Sequence, residues 1–423
     1  MGWVMALLPV ALLVAGFPFF LVLLATAAVV LLLFSGVPAT AAHQVMFGAL
    51  DKYALLAVPF FIFAGDLLSR GGVSARLVRW VQSIIGRVRG SLPFTSLGTA
   101  VVFSAISGST AATVAAVGSL TYRRLREAGY SERFASGLLI GAGAIDNLIP
   151  PSVGFILYGI ASDTSIVRLF LAGVVPGLVL AAFFSIYVHR HAVRKGDRPG
   201  PPFQRREFFA ATREGIWAIA APVAVLGGIY TGVFSPTEAA AVACIYAILV
   251  TAFVYREASA RDVFDSAARS MYLTAQVFII LACAGVYSWL LTVSGAGPAL
   301  IGAVVGLELP TWALLLSINV LLLVVGMVLD TVSAILVLTP LLAPIARAAG
   351  VDPVHFGVIV IMNLSIGTFT PPFGLNIFVG QAVFKAPLSS IYPGVIPFIV
   401  AALGALAVVT YIPQLSLFLL KFL

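Results

Sequence analysis

Long apolar runs alternate with short polar interruptions along most of the chain. Several runs reach the roughly 20 residues that a membrane-spanning helix needs. The N-terminal run has neither a basic start nor a cleavage motif, so it indicates two retained spans and not a signal peptide. Residues 36–51 and 257–270 are more polar and are expected to be connectors. The pattern predicts spans over residues 3–14, 17–34, 53–68, 171–188, 215–233, 237–255, 272–292 and 394–412.

Two apolar segments contain a polar interruption instead of crossing without a break. The first, 91–122, holds the stretch FSAISGSTAA (103–112) and has arginines near both ends. The arginines indicate that both ends lie on the same side of the membrane, which predicts a re-entrant hairpin. The polar stretch would be its tip, because backbone at membrane depth leaves the helix only where it is buried in protein or lines a cavity. The second, 310–346, holds GMVLDTVSA (326–334) and is predicted to be a second hairpin.

Each hairpin is followed by an apolar segment that contains two consecutive prolines. Residues 134–162 include Pro150 and Pro151, and residues 354–382 include Pro371 and Pro372. Proline removes a backbone donor and clashes with the preceding turn, so both segments are predicted to be broken helices.

The two halves of the chain match when the sequence is shifted by 221 positions. The double prolines coincide, as do Gly159 with Gly380 and Gly173 with Gly394. Ser109 and Thr110 fall on Asp330 and Thr331, so the hairpins coincide as well. This agreement predicts two internal repeats.

Composition supports an integral membrane protein. Of the 423 residues, 61% are hydrophobic and 9% are charged, and the mean hydropathy is +1.11. The net charge of +8 is explained by basic residues gathered in cytoplasmic loops, and it gives no reason to expect nucleic-acid binding. Cys244 and Cys283 lie in apolar segments and are expected to be packing residues.

The positions of Lys and Arg predict that the repeats are inverted. If the first hairpin opens to the cytoplasm and the second to the opposite side, 20 of the 24 basic residues lie inside, including those of the basic linker 189–213. The C-terminus is then periplasmic. Inverted repeats with paired hairpins and broken helices are the layout of secondary transporters, whose binding site lies at the midplane between the repeats. The four basic residues that this topology places on the periplasmic side are Lys52, Arg168, Arg347 and Lys421.

Polar residues concentrate at the four interruptions. Oxygen-rich clusters without His or Cys suit sodium, whereas the N-termini of half-helices favour an anionic substrate. Small-residue packing between helices is the alternative explanation. Carboxylates within the membrane are functional by default, because burying charge is costly, and this singles out Asp146 and Asp330, each of which lies at a predicted break. The first cluster comprises Ser104, Ser107, Gly108, Ser109, Thr110, Asp146 and Asn147. The second comprises Gly326, Asp330, Thr331, Gly367, Thr368, Thr370 and Asn376.

Two other acidic residues have simpler explanations. Asp66 lies four residues before Arg70, so an interfacial ion pair is as reasonable as a functional role. Glu238 follows Ser235 and Pro236 in the pattern of a helix capping box. No histidine is expected near the hairpin serines, so a serine hydrolase is not indicated. A channel would need a continuous polar pore, which two paired patches do not provide.

Several long motifs are similar to the large membrane subunit of tripartite ATP-independent periplasmic (TRAP) transporters of the dicarboxylate and sialic-acid type. They cover nearly the whole chain in order and include PFFIFAGDLLSRGG (59–72), FSAISGSTAATVAAVGSL (103–120), YTGVFSPTEAAAVA (230–243), GMVLDTVSAILVLTPLLAP (326–344) and DPVHFGVIVIMNLSIGTFTPPFGLNIFV (352–379). The resemblance implies an all-α polytopic protein of the elevator type in the bacterial inner membrane, with no enzymatic activity and no organic cofactor.

The resemblance also implies a function and partners. The implied function is sodium-driven uptake of a small organic anion, which is a carboxylate or sugar acid. A periplasmic substrate-binding protein is expected to deliver this anion. A separate small four-helix membrane subunit and membrane lipid are the other expected partners. The alternative is a stand-alone sodium/carboxylate symporter of the same superfamily that needs no binding protein.

By position, the resemblance implies roles for the polar residues. Sodium is expected at Ser104, Ser107, Gly108, Gly143, Pro150, Gly326, Gly367, Thr368 and Thr370. The substrate is expected at Ser109, Thr110, Asp146, Asn147, Asp330, Thr331 and Asn376. Asp146 and Asn147 depart from the family pattern, where an apolar residue or glycine is usual, so Asp146 is a hypothetical tuner of substrate or cation binding.

The same reasoning divides the chain into scaffold and transport parts. Residues 1–90 are the predicted scaffold and arm helices of the first repeat, and 91–170 are the first half of the transport domain. Residues 171–309 hold scaffold, basic linker and the arm of the second repeat. Residues 310–390 form the second half of the transport domain, and 391–423 a final scaffold span.

Overall fold

The computed structural model describes residues 2–34, 37–70, 72–200 and 202–423, without the side chains of residues 6, 39, 296, 298, 300 and 305. Five residues within the predicted ranges lie outside this description: Met1, Ser35, Gly36, Gly71 and Pro201.

In the first half of the described chain, the regular secondary structure consists of helices joined by short turns and loops. Short 3₁₀ turns precede α4 at Tyr53–Leu56 and follow α8 at Ala144–Asn147. The helices are α1 (Gly2–Val14), α2 (Phe19–Phe34), α3 (Ala39–Leu50), α4 (Ala57–Arg70), α5 (Val73–Ile85), α6 (Ser91–Ser107), α7 (Thr110–Glu127), α8 (Glu132–Gly143), α9 (Val153–Ser162) and α10 (Ile166–Lys195).

The second half is helical as well. A π-helical turn at Leu249–Val254 extends α12, and a 3₁₀ turn at Phe418–Phe422 ends the chain. The helices are α11 (Arg205–Tyr230), α12 (Pro236–Ile248), α13 (Ala260–Val293), α14 (Ala296–Val305), α15 (Thr311–Gly326), α16 (Thr331–Ala348), α17 (Pro353–Gly367), α18 (Leu375–Phe384), α19 (Leu388–Tyr411) and α20 (Gln414–Leu417).

The structure confirms the prediction of an all-α fold with several helices that can span a membrane. Among the described residues, seven helices are long and apolar enough to span a bilayer, and no strand forms beyond an isolated bridge between Arg89 and Pro199. Those seven are Tyr53–Arg70, Ile166–Lys195, Arg205–Tyr230, Pro236–Val254, Ala260–Val293, Thr331–Ala348 and Leu388–Tyr411.

All four predicted interruptions are present. The first helix pair, α6 and α7, breaks at Gly108, and the second pair, α15 and α16, breaks between Gly326 and Thr331. The first broken segment joins α8 to α9, and the second joins α17 to α18. Each broken segment contains a cis peptide bond between its two prolines.

The predicted connector at 257–270 is wrong. From Ala260 onward, this stretch forms the start of α13, a continuous helix of 34 residues. Ser259 and Asp262 form a capping box that begins the helix, and the following alanines and arginines have high helix propensity. Polarity in this stretch therefore marks a helix that extends beyond the apolar span.

The predicted basic linker is also more helical than its composition suggests. Its first residues belong to α10, which ends at Lys195, and its last belong to α11, which begins at Arg205. The stretch between the two helices packs against the base of the first helix pair, where the Tyr130 hydroxyl contacts Asp197 and Lys195 Nζ donates to the Ala128 carbonyl at 2.9 Å.

Glycines let the central helices approach one another closely. A methyl group on Gly137 of α8 would lie 2.0 Å from the Gly394 carbonyl oxygen of α19. On α10, a methyl on Gly173 would lie 2.3 Å from the Leu148 carbonyl oxygen, which belongs to the first break. Small residues at helix crossings permit such contacts. The first broken segment is thereby enclosed between α10 and α19.

Candidate functional site

The tip of the first helix pair is built from Ser107, Gly108 and Ser109. Gly108 has a positive φ of +63°, which allows the chain to leave α6 without strain. Ser109 is the N-cap of α7 and accepts from Ala112 N at 3.5 Å. The Ser107 hydroxyl and the backbone of Ser109 are within 3.2–3.3 Å of each other, so these polar atoms partly satisfy one another.

This tip lies directly on the first broken segment. A methyl group on Gly108 would be 2.9 Å from the Pro151 carbonyl oxygen. The break itself consists of the 3₁₀ turn after α8 and the two prolines, and α9 begins after the N-cap Ser152. Two interruptions of the helical backbone therefore meet at one place, as the sequence predicts for its first cluster.

Asp146 is the most unusual residue of this cluster. Its side chain is fully buried, and one carboxylate oxygen accepts from the Thr113 hydroxyl at 2.6 Å. Ser104 lies close enough to interact with the same carboxylate. The other oxygen has no hydrogen-bond partner, and none of the ion pairs among the described residues involves Asp146. A buried carboxylate without a compensating cation is energetically costly.

Asp330, its predicted counterpart, has a different environment. It is exposed and is the N-cap of α16, where it accepts from the backbone and the hydroxyl of Ser333. Both oxygens are thus used by the first turn of its own helix, which is the usual role of an N-cap aspartate. Asp330 is therefore not enclosed by the protein as Asp146 is, and Thr331 next to it is only partly buried.

The second cluster is held together by backbone contact and by side-chain hydrogen bonds. A methyl on Gly367 would lie 2.5 Å from the Gly326 carbonyl, so α15 and α17 touch at these glycines. The Thr368 hydroxyl accepts from Asn376 Nδ2 at 3.1 Å, and the Thr370 hydroxyl donates to the Ile366 carbonyl at 2.7 Å.

Asn376 brings the two clusters together. A methyl on Gly143 would lie 3.4 Å from Asn376 Nδ2 and 3.0 Å from the Thr110 carbonyl oxygen. The first turns of α7 and α18 therefore converge on the end of α8. Asn376 Oδ1 and Asn147 Nδ2 are buried there without hydrogen-bond partners, which leaves an acceptor and a donor for a bound group.

A protein-family model matches nearly the whole chain. Residues 5–415 match the DctM component of the tripartite ATP-independent periplasmic transporters. The chain belongs to this family. The resemblance seen in the motifs is thereby confirmed, and this DctM component is a transport protein and not an enzyme.

Individual relatives agree with the family model. The chain is 39% identical to the ectoine/5-hydroxyectoine TRAP transporter large permease protein UehC of Ruegeria pomeroyi, over 97% of this chain and 96% of the relative. It is 38% identical to the C4-dicarboxylate TRAP transporter large permease protein DctM of Pseudomonas aeruginosa, over 92% and 91%. The solved YdaH transporter of Alcanivorax borkumensis has the same fold, with a TM-score of 0.69, 16% identity and 98% coverage of both chains.

Some residues of this DctM component that contact the clusters carry no clear sequence signal. Thr113, the partner of Asp146, lies one turn beyond the tip on α7, and its spacing of three from Thr110 is the signal that could have indicated it. Gly65 on α4 lies against the tip, since a methyl there would be 2.4 Å from the Ser107 carbonyl oxygen. The sequence gives no reason to pair α4 with the tip.

The DctM component is packed unequally on the two sides of its polar clusters. Next to the first tip, the space between Ala105, Pro151 and α4 is only about 20 Å³. Two larger cavities, of about 600 and 440 Å³, share Ala161 and Pro340 and lie between α9 and α16 on one side and α3, α13 and α14 on the other. None of the predicted site residues lines these two larger cavities.

The remaining acidic predictions agree with their simpler explanations. Asp66 pairs with Arg70 at 3.3 Å and with Arg269 at 3.0 Å. Glu238 completes the capping box of α12 with Ser235.

Proposed function

We propose that this DctM component performs sodium-coupled uptake of a small organic anion, which a periplasmic substrate-binding protein delivers. The observation behind the proposal is the convergence of the first turns of α7 and α18 at Gly143, beside a buried carboxylate without a counter-charge. The proposal includes a separate small four-helix membrane subunit, location in the bacterial inner membrane, and an elevator motion of the transport part against the scaffold.

Helix bounds support the internal repeat. Shifted by 221 positions, Thr110–Glu127 falls on Thr331–Ala348, the bounds of α16. The N-caps Ser109 and Asp330 correspond, and so do the two pairs of consecutive prolines. The distribution of basic residues supports inversion of the repeats, with the basic linker cytoplasmic and the C-terminus periplasmic.

The cation is proposed to bind where Asp146 lacks a partner. Its free carboxylate oxygen, the Ser104 hydroxyl and nearby backbone carbonyls provide the oxygen ligands that a hard cation prefers. An anionic substrate would be repelled by this carboxylate, so we assign Asp146 to the cation and not to the substrate. Ser107, Gly108, Gly143 and Pro150 are proposed to complete this site, and Gly326, Gly367, Thr368 and Thr370 to form a second.

The substrate is proposed to bind between the first turns of α7 and α18. Helix N-termini favour negative charge because their first N–H groups point outward. Ser109, Thr110, Asn147 and Asn376 are proposed to contact it, and Asp330 and Thr331 to border it. The named substrates of the relatives, ectoines and C4-dicarboxylates, bear carboxylates, which supports a carboxylate-bearing solute.

The unequal packing around the clusters supports an elevator motion. The first tip packs against Gly65 of α4 with little free space, whereas two larger cavities, lined in part by Arg347 and Lys52, lie between α9 and α16 and the helices α3, α13 and α14. On the proposed topology, these two cavities lie on the periplasmic side, and no proposed site residue lines them. A transport part that slides along α4 would close the two cavities and free the first tip.

Uptake into proteoliposomes tests the proposal. The liposomes contain this chain with its small subunit, and candidate acids are supplied with and without the substrate-binding protein and a sodium gradient. Uptake that requires both supports the tripartite function. Sodium-driven uptake without the binding protein would instead indicate a stand-alone symporter, and uptake indifferent to sodium would contradict the cation site.

A further inference from the structure

A basic cavity lies away from the proposed transport site, between the C-terminal half of α7 and the end of α18. Its volume is about 380 Å³. Three of its lining residues are cationic and none is acidic. The lining consists of Gly118, Ser119, Tyr122, Arg123, Arg126, Val383, Phe384 and Lys385.

One wall of the basic cavity is apolar. The rings of Tyr122 and Phe384 stack at 4.5 Å with an angle of 8° between their planes. The Phe384 ring also covers Gly118, where a methyl group would lie 2.4 Å from the ring. The lining of the cavity is therefore aromatic near the middle of α7 and positively charged near the C-terminal end of α7.

The three cations are only partly neutralised. Arg123 pairs with Glu127 at 2.7 Å, but both side chains are strongly exposed, and such pairs contribute little. Arg126 donates to the Tyr130 carbonyl, which is uncharged. The Lys385 ammonium group has no hydrogen bond or ion pair with any residue that the structure describes. The carboxylate of Glu132 also places a negative charge near Tyr122.

The other half of the chain contains a matched cavity with different charge. The cavity of about 600 Å³ is lined by Thr339, Ala343, Pro344, Arg347 and Asp163, which correspond by the shift of 221 to Gly118, Tyr122, Arg123, Arg126 and Phe384. It holds one cation and one carboxylate. Because the lining of the matched cavity in the other half has no net charge, the fold alone does not require three cations here.

The depth of the basic cavity suits an amphiphile. At 1.5 Å per residue, Gly118 lies about 12 Å and Arg126 about 24 Å along α7 from Thr110. The hydrocarbon core of a bilayer extends about 15 Å from its midplane. If α7 begins near the midplane, as proposed above, the aromatic wall lies within the acyl chains and the cations lie among the headgroups.

We propose that the basic cavity binds an anionic phospholipid, with its phosphate at Arg123, Arg126 and Lys385 and an acyl chain along Tyr122 and Phe384. Basic pockets between membrane helices recognise such headgroups. On the proposed topology, the lipid belongs to the cytoplasmic leaflet. Since α7 and α18 also form the transport site, the lipid would bind the part of the protein that moves.

The test compares two double variants of the full chain by native mass spectrometry. Arg123→Gln with Lys385→Gln removes two cations from the cavity, and Arg124→Gln with Arg133→Gln removes two exposed cations outside it. Each protein is titrated with phosphatidylglycerol or with phosphatidylethanolamine. At about 1 kcal/mol per basic residue, the cavity variant should bind phosphatidylglycerol about 30-fold more weakly, while the control retains its affinity.

Several outcomes would overturn the proposal. Equal loss in both double variants would mean non-specific attraction by the basic surface. Equal binding of the two lipids by the unaltered protein would mean that charge is not recognised. Displacement of the lipid by millimolar inorganic phosphate would indicate a site for free anions. If the double variant does not fold, Lys385→Gln alone, at an exposed position, should still weaken binding about fivefold.

Lipid binding is measured without transport, so its failure and that of the proposed function are separate results. A protein that transports but does not retain phosphatidylglycerol would overturn only the lipid site.

Discussion

Replacing Asp146 with asparagine tests the cation site most directly. The amide has the same shape and can still accept from the Thr113 hydroxyl, which lies 2.6 Å from the carboxylate. The substitution therefore removes the charge and preserves the packing. We expect Asp146→Asn to fold, to bind sodium more weakly, and to require a higher sodium concentration for uptake.

The magnitude follows from the burial of the carboxylate. Asp146 is fully buried, so water does not screen its charge. Two opposite unit charges about 4 Å apart attract by about 4 kcal/mol at an effective dielectric constant near 20. If the polar amide oxygen retains half of this attraction, the loss is about 2 kcal/mol. The sodium concentration for half-maximal uptake should then rise about 30-fold.

Two assays report on this prediction. Uptake as a function of sodium concentration in proteoliposomes gives the half-maximal value, and the sodium-dependent rise in Tm of the purified protein gives binding without transport. Asp66→Asn is the matched control, because Asp66 is partly exposed and already paired with Arg70 and Arg269. It should leave both sodium dependences unchanged.

Unchanged sodium dependence of Asp146→Asn in both assays would refute the reasoning. A variant with normal sodium binding but a raised KM for the substrate would assign Asp146 to the substrate instead.

Three further predictions concern the centre and orientation of the site. Gly143→Ala would place a methyl group 2.4 Å from Val114 and should lower Tm and uptake by overpacking worth about 1–3 kcal/mol. Its control, Gly227→Ala, has open space around the new methyl group and should be tolerated. Equal effects in the two variants would contradict the close approach of the helices at Gly143. Asn376→Ala should raise the KM for the acid about 10-fold while sodium binding in thermal unfolding persists, and a normal KM would remove Asn376 from the substrate site. A cysteine at Arg347 in a chain without native cysteines should react with an impermeant maleimide from the periplasm, and one in the basic linker only after permeabilisation; the reverse pattern would invert the topology.

The sequence predicts the interruptions of the helices well, because proline and glycine act locally. The consecutive prolines Pro150 and Pro151 remove two backbone donors and so disfavour a continuous helix, and Gly108 permits a backbone conformation that other residues avoid. The shift of 221 positions relates such residues between the two halves, so it also relates helix bounds. Thr110 and Thr331, which each begin a helix, illustrate this agreement.

Polarity alone predicts the connectors less well. Residues 257–270 resemble a loop in composition, but their capping box and helix-forming residues begin α13. At the corresponding place in the first half, the chain leaves the helix at Asp51 and Lys52, where the second half has Tyr272 and Leu273. A single long helix and two shorter ones are therefore distinguished by the residues at the joint and not by the average polarity of the segment.

The difference between Asp146 and Asp330 is decided by packing and is not visible in the sequence. Both follow the rule that carboxylates in apolar segments are functional, and both lie at interruptions. The structure encloses Asp146 because Gly173 lets α10 approach the break closely, whereas Asp330 remains at an exposed tip and caps α16. As an N-cap, Asp330 uses its carboxylate to bind the first turn of its own helix. The buried Asp146 oxygen has no hydrogen-bond partner in the protein, so it needs a partner from outside the chain. That requirement is the physical reason to expect a cation at Asp146, where the two halves of the chain meet.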